Sequence, residues 1–369
     1  MIVEKKFKKL SKPFITESGY VIKQPIVSYE EYGVEDGPVI FLAHGGLSDQ
    51  HAAGKYSKND VLPGWWDSII GEGKALDTSK YRIISTSCLG CTCYCLGNEG
   101  GTASPLTLNP DTGKHYGPDF PEITLIDIAK FNKAFLEEIG VNKLFMMAGP
   151  SMGSLQSLQM AALYPEFVGS VVAVATAGRM TPGGMAMHNF IIDIAKLDPE
   201  FNDGWYEIGK PKYSLKVINE IARIYYTSHK IIKEVCWDTV SEGKEAQRIR
   251  NNNCKNYVTA GVEAQTYGRD LNCYISVVDA INTYDLGRDV ESYEEGVRRI
   301  KCPVLLMNID TDSEFPPEHA YELADILNSK EANQAKTLTI KSSWGHLGCV
   351  KEGETLNKEI SEFIKSLNN

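Results

Sequence analysis

The sequence predicts an α/β fold: a mostly parallel β-sheet with helices on both faces and one helical insertion. Three observations lead there. Short apolar runs alternate with segments of helical periodicity. One of those runs ends in a glycine-flanked serine and passes directly into a helical pattern. From about residue 176 to 299 the strand rhythm stops, and it resumes near residue 304.

Pro38 to Ala43 (PVIFLA) reads as a buried strand, and Tyr81 to Ser85 (YRIIS) as the next. Between Ile123 and Gly140, apolar residues at Ile128, Phe131, Phe135 and Ile139 recur at spacings that mark one helix face. Gly140 is a natural stop for that helix. Leu144 to Ala148 (LFMMA) is a third strand, and Met152 to Leu163 a second helix. Val171 to Ala175, Val304 to Ile309 and Thr337 to Ile340 follow as strands, and Glu352 to Leu367 as the last helix. The stretch 176–299 is rich in Tyr, Asn and charge and contains no convincing strand. It reads as a helical lid over the carboxyl ends of the strands, where such sheets bind ligands. Residues 1–175 and 300–369 then form the core.

Composition narrows the function. With 43% hydrophobic and 23% charged residues, the 369-residue chain has the profile of a globular protein. No apolar run is long enough to span a bilayer. The Lys-rich start, Met1 to Phe14, lacks the apolar core of a secretory signal, so a cytoplasmic enzyme is expected. A net charge of −10 argues against a nucleic-acid partner, which requires a concentrated positive field. Cys88, Cys91, Cys93 and Cys95 cluster, but their spacing does not fit a zinc site and no second Cys/His pair answers them. They read as reduced thiols in a loop, and no metal is expected.

Gly149-Pro150-Ser151-Met152-Gly153 is a G-x-S-x-G sequence set between an apolar strand and a helix. In that context it is a nucleophile elbow, and the fold is an α/β-hydrolase fold. The turn lifts the Ser151 hydroxyl above the sheet and aims the Met152 amide at a developing oxyanion. A serine needs a base, and the base needs an acid to hold its tautomer. In this fold they follow in the order serine, acid, histidine. His346, just before the last helix, is the candidate base; His115, His188, His229 and His319 lie in worse positions. Asp312 and Asp310, both just after the strand ending at Ile309, are the candidate acids. His44-Gly45-Gly46-Leu47 follows the first of these strands, so the Gly46 or Leu47 amide is the candidate second oxyanion donor.

Several phrases converge on one family. Gly64-Trp65-Trp66 with Ile70-Gly71 and Asp77-Thr78, Asn109-Pro110-Asp111-Thr112-Gly113-Lys114, Tyr116 to Pro121 (YGPDFP) and the elbow resemble the homoserine O-acetyltransferases. Thr311-Asp312 before Phe315-Pro316-Pro317 resembles the family's acid loop, which favours Asp312 over Asp310. Gly345-His346 matches its catalytic histidine. The resemblance runs from about residue 30 to the C-terminus. It implies a ping-pong mechanism: Ser151 takes an acyl group from acetyl-CoA or another acyl-CoA and passes it to an acceptor hydroxyl. It also implies a homodimer formed through the helical insertion.

The departures gather where the acceptor should bind. The family places an Arg seven residues before a Tyr; here the Tyr is Tyr226 and the Arg position holds Asn219. The family's histidine is followed by an Asp; here that position is Leu347. An amide cannot supply the charged fork that grips a carboxylate. Arg223, one turn along the same helix, is the candidate substitute. The acceptor is therefore expected to be an alcohol other than homoserine. An esterase or thioesterase would use the same parts and differ in whether water reaches the acyl-enzyme. An intact Ser, Asp and His set argues against a non-catalytic binding protein.

Overall fold

The computed structural model describes residues 1–46, 48–90, 101–262, 269–330 and 334–367. An eight-stranded sheet runs through the molecule in the order β1-β4-β6-β5-β7-β8-β9-β10. Its strands are β1 (Lys6–Lys9), β4 (Ile26–Gly33), β5 (Val39–Ala43), β6 (Arg82–Thr86), β7 (Met146–Pro150), β8 (Val171–Val174), β9 (Val304–Ile309) and β10 (Ala335–Ile340). A small antiparallel pair, β2 (Phe14–Ile15) and β3 (Val21–Ile22), stands apart. From β6 to β10 every pairing is parallel, and β1 and β4 add an antiparallel edge. The sheet is thus mostly parallel, as expected from the sequence.

The parallel strands are continuous apolar runs because both faces are covered. β8 (VVAV) and β9 (VLLMNI) are buried along their whole length. The covering helices are α1 (Leu125–Glu138), α2 (Met152–Leu163), α9 (Pro317–Asn328), α10 (Gly348–Lys351) and α11 (Gly353–Leu367). α1 opens on a capping box: Thr124 Oγ1 accepts from the Asp127 amide while the Asp127 carboxylate accepts from the Thr124 amide. Its face of Ile128, Phe131 and Phe135 is fully buried.

Between β8 and β9 the described residues form α3 (Pro182–Leu197), α4 (Lys212–Tyr225), α5 (His229–Cys236), α6 (Ala246–Thr259), α7 (Leu271–Asn282) and α8 (Tyr293–Arg298). α3, α4 and α7 share their own apolar cluster, centred on Ile191, Leu215, Ile218, Leu271 and Tyr274. Several hydrogen bonds tie these helices to the core near the carboxyl ends of the strands, two of them close to His346. The Leu347 amide donates to the Tyr226 carbonyl at 3.2 Å, and the Ser228 hydroxyl donates to the Ser343 carbonyl. None of the helices among the described residues is long and apolar enough to cross a membrane.

The sequence reading missed the N-terminal strands β1 to β4. It also placed β7 two residues early: Leu144 makes only an isolated bridge to Val168, while the ladder continues to Pro150.

Candidate active site

The elbow is built by close backbone approach. Ser151 sits at φ 54° and ψ −126°, a conformation that side chains rarely adopt, between the end of β7 and the first turn of α2. Its amide donates to the Val174 carbonyl at 2.8 Å, which locks the turn to β8. The glycines on either side are required by space. A Cβ on Gly149 would stand 2.4 Å from the Ala43 carbonyl oxygen, and one on Gly153 only 2.0 Å from it. The sharp turn leaves the serine hydroxyl at the cavity, within hydrogen-bond reach of His346.

His346 and Asp312 arrive from loops after β10 and β9. Ser151 Oγ donates to His346 Nε2 at 2.8 Å, and His346 Nδ1 donates to Asp312 Oδ2 at 2.8 Å. The other Asp312 oxygen accepts from the Glu314 and Phe315 amides at 2.8 and 3.2 Å. Asp312 is 4% exposed and His346 6%. Burial opposes charge on Asp312, but the His346 charge and these hydrogen bonds hold the carboxyl below its ordinary range. Burial likewise opposes charge on His346, yet Asp312 and then Glu314 outweigh it and raise the imidazole. Asp310 is placed otherwise. It is exposed, accepts from the Ser342 amide at 3.0 Å and lies 3.4 Å from Lys341 Nζ.

A cavity of about 240 Å³ opens over Ser151. Gly45 and Gly46 form one edge of it, and Met152 at the start of α2 another. A Cβ on Gly45 would come within 3.7 Å of the Ser151 Cβ, so this loop runs close beside the serine. His44 pins the loop: its Nε2 accepts from the Cys88 amide at 3.0 Å and its Nδ1 donates to the Gly45 carbonyl at 2.7 Å. Burial pushes His44 down to about 4, so the ring stays neutral and structural. Leu47, Cys91, Cys93 and Cys95 lie outside the described residues; Cys88 is buried.

The expected acceptor pocket is only partly assembled. Tyr226 and Leu347 line the cavity, with the Tyr226 ring 5.2 Å from that of His346. Asn219 and Arg223 are not among its described lining residues. Both lie on α4 but turn into the helical layer: Asn219 accepts from the Arg269 guanidinium, and Arg223 stacks 4.6 Å over the Tyr257 ring. The sequence reading gave no site role to three residues. Arg269 reaches Asn219 from fifty residues away. His188, from α3, and Glu314 both line the cavity. Glu314 carries a sequence signal, since it stands two residues after the acid, but nothing in the chain marks His188 or Arg269.

The model of the alpha/beta hydrolase fold family matches residues 38–352. A homoserine O-acetyltransferase of Deferribacter desulfuricans is 33% identical over 100% of this chain and 97% of that protein. The crystal structure of homoserine O-acetyltransferase from Bacillus anthracis has a TM-score of 0.89 at 26% identity, covering 100% of this chain and 98% of its own. Esterase E22 is as similar in structure, with a TM-score of 0.89 at 30% identity, covering 98% of this chain and 100% of its own. The chain belongs to the homoserine O-acetyltransferase family, within the α/β-hydrolase fold.

Proposed function

We propose that this chain is a serine acyltransferase that moves a short acyl group from acyl-CoA, acetyl-CoA first among the candidates, to an alcohol lacking a carboxylate. One observation carries the reading: the unbroken hydrogen-bond relay from Asp312 through His346 to Ser151 at the head of a small cavity. His346 Nε2 takes the Ser151 proton as Oγ bonds to the thioester carbon. The C–S bond then breaks and His346 returns the proton to the thiolate. In the second half the acceptor hydroxyl gives its proton to His346 and its oxygen bonds to the acyl carbon. The bond to Oγ breaks, and the proton goes back to Ser151. The Met152 and Gly46 amides are suited to holding the oxyanion in both halves.

The acceptor follows from the cavity wall. Among the described lining residues there is no Lys or Arg, and Leu347 adds a further apolar group. A homoserine carboxylate would meet no cation among these described lining residues. Leaving one member of a buried charge pair alone costs about 2–5 kcal/mol, roughly 30-fold to several-thousand-fold in affinity or rate. We therefore expect a kcat/KM for homoserine below about 10⁴ M⁻¹s⁻¹, with better values for alcohols without a carboxylate. Steady-state kinetics over such a panel tests it, and a homoserine value above that line overturns the acceptor assignment.

Ester hydrolysis is the second reading, favoured by the 30% identity and 0.89 TM-score to esterase E22. The same acyl-enzyme would then discharge to water. The ratio of free acid to transferred ester, measured at rising alcohol concentration, separates the two.

A further inference from the structure

The catalytic relay leaves one buried carboxyl unused. Glu314 is 4% exposed and forms part of the cavity wall. Its Oε2 lies 3.6 Å from His346 Nε2, and its Oε1 lies 3.7 Å from His188 Nε2. Neither distance makes a hydrogen bond, and Oε2 has no hydrogen-bond partner at all. His346 has no free nitrogen to offer, since Asp312 and Ser151 engage both. His188 is no counter-ion either. Its Nδ1 donates to Asn282 Oδ1 at 2.8 Å, and burial holds the ring below its ordinary pKa. A neutral His188 then turns a lone pair, not a proton, toward Glu314. Among the described residues of the wall, Glu314 is the only carboxyl and no lysine or arginine answers it.

We propose that Glu314 selects the acceptor: its carboxylate receives the ammonium group of an amino alcohol that has no carboxylate of its own, while that molecule's hydroxyl attacks the acyl group on Ser151. The inference rests on the acyl-transfer reading above and names its substrate class. Ser151 Oγ and Glu314 Oε2 approach the same imidazole nitrogen, at 2.8 and 3.6 Å. A hydroxyl held at Nε2 and an amine held at Oε2 therefore belong to one short molecule, roughly two or three carbons between them at ordinary hydrogen-bond lengths. The absence of a cation from the described wall explains why a second, negative group on the acceptor is unwelcome. Burial raises the Glu314 carboxyl to about 7, with His346 pulling it down and Asp312 pushing it up. An arriving ammonium favours the charged form, so the empty acceptor becomes one half of a buried ion pair. The covalent step is unchanged: the hydroxyl proton passes through His346 to Ser151 as the acyl carbon changes oxygens. Glu314 stays ionised and the ammonium keeps its protons throughout.

The test uses the full chain acylated by p-nitrophenyl acetate, with discharge by ω-propanolamine compared with its uncharged isostere n-butanol. The amine, like that of lysine, is protonated at neutral pH. The wild type should discharge to the amino alcohol at least about thirtyfold faster, the effect of one buried charge partner. Glu314→Gln should bring the ratio to within about threefold of unity, and Glu314→Asp should keep it above about tenfold. The ratio is taken within each enzyme, so a change in acylation rate cancels. If Glu314→Gln takes up no acetyl group, the wild-type and Glu314→Asp ratios decide. A wild-type ratio near one, or the same ratio in Glu314→Gln, overturns the inference while the acyl-transfer reading stands. If no acyl-enzyme forms from p-nitrophenyl acetate, the acyl-transfer reading itself fails and the inference falls with it.

Discussion

His346 stands between two carboxyl groups that meet it differently. Asp312 meets Nδ1 in a direct hydrogen bond and fixes the tautomer that leaves Nε2 free to accept from Ser151. Glu314 approaches from the cavity side without a bond. Asp312→Asn should therefore cost orders of magnitude in kcat, because an amide cannot hold the tautomer, while Asp310→Asn should stay near wild type. The pH profile gives the sign. Asp312 raises the His346 pKa, and the base works only when neutral, so the variant's acid limb of kcat/KM should move to lower pH. A larger loss in Asp310→Asn, or a limb that moves upward, contradicts the assignment. This much of the site was legible, because elbow, acid loop and histidine each sit beside a recognisable strand end. Glu314 was within reach, two residues past the acid, but His188 and Arg269 were not: they arrive from the helical segment between β8 and β9, and no local spacing in the chain encodes that contact.

At the scale of elements, the elbow depends on two strands and a helix touching at glycine. Gly153 sits in α2 where any side chain would strike the Ala43 carbonyl at 2.0 Å. Gly183, in the first turn of α3, has nothing within 4 Å of its missing Cβ. Both are helical glycines, so helix propensity alone predicts that alanine stabilises each by about 0.5–1 kcal/mol. The packing predicts opposite outcomes. Gly153→Ala should lose about 1–3 kcal/mol or more to overpacking, and Gly183→Ala should be neutral or gain. Chemical denaturation of the two variants decides it, and equal tolerance would mean the elbow is looser than its contacts imply. Most strands recovered from the sequence are buried apolar runs such as β8 and β9; β10, with Lys336 and Thr337 exposed, is the exception. β4 escaped because Glu30 lies fully buried within it. That carboxylate is carried by hydrogen bonds from the hydroxyls of Tyr32 and Tyr56, the latter at 2.6 Å, and by His51 at 3.2 Å. A polar network replaced the hydrophobic pattern that marks a strand. β1 is Lys-rich and half-solvated at the sheet edge, as edge strands often are.

For the whole molecule, the helices between β8 and β9 serve the cavity on one side and face outward on the other. Their outward side carries Tyr213 at 73% exposure, Ile224 at 50% and Trp237 at 42%. Apolar groups so exposed on α4 and just past α5 suit a self-association surface, and we propose a homodimer. Sedimentation should give a dimer mass that Ile224→Arg shifts toward the monomer, and a wild-type monomer at micromolar concentration contradicts this. The most direct test of the central claim is the acyl-enzyme itself. Wild-type protein and Ser151→Ala are exposed to acetyl-CoA and weighed intact by mass spectrometry, then digested to locate the adduct. A gain of one acetyl group on Ser151, absent from Ser151→Ala and removed on adding the acceptor alcohol, is the predicted result. An unmodified wild type that still turns over, or an adduct that persists in Ser151→Ala, contradicts it.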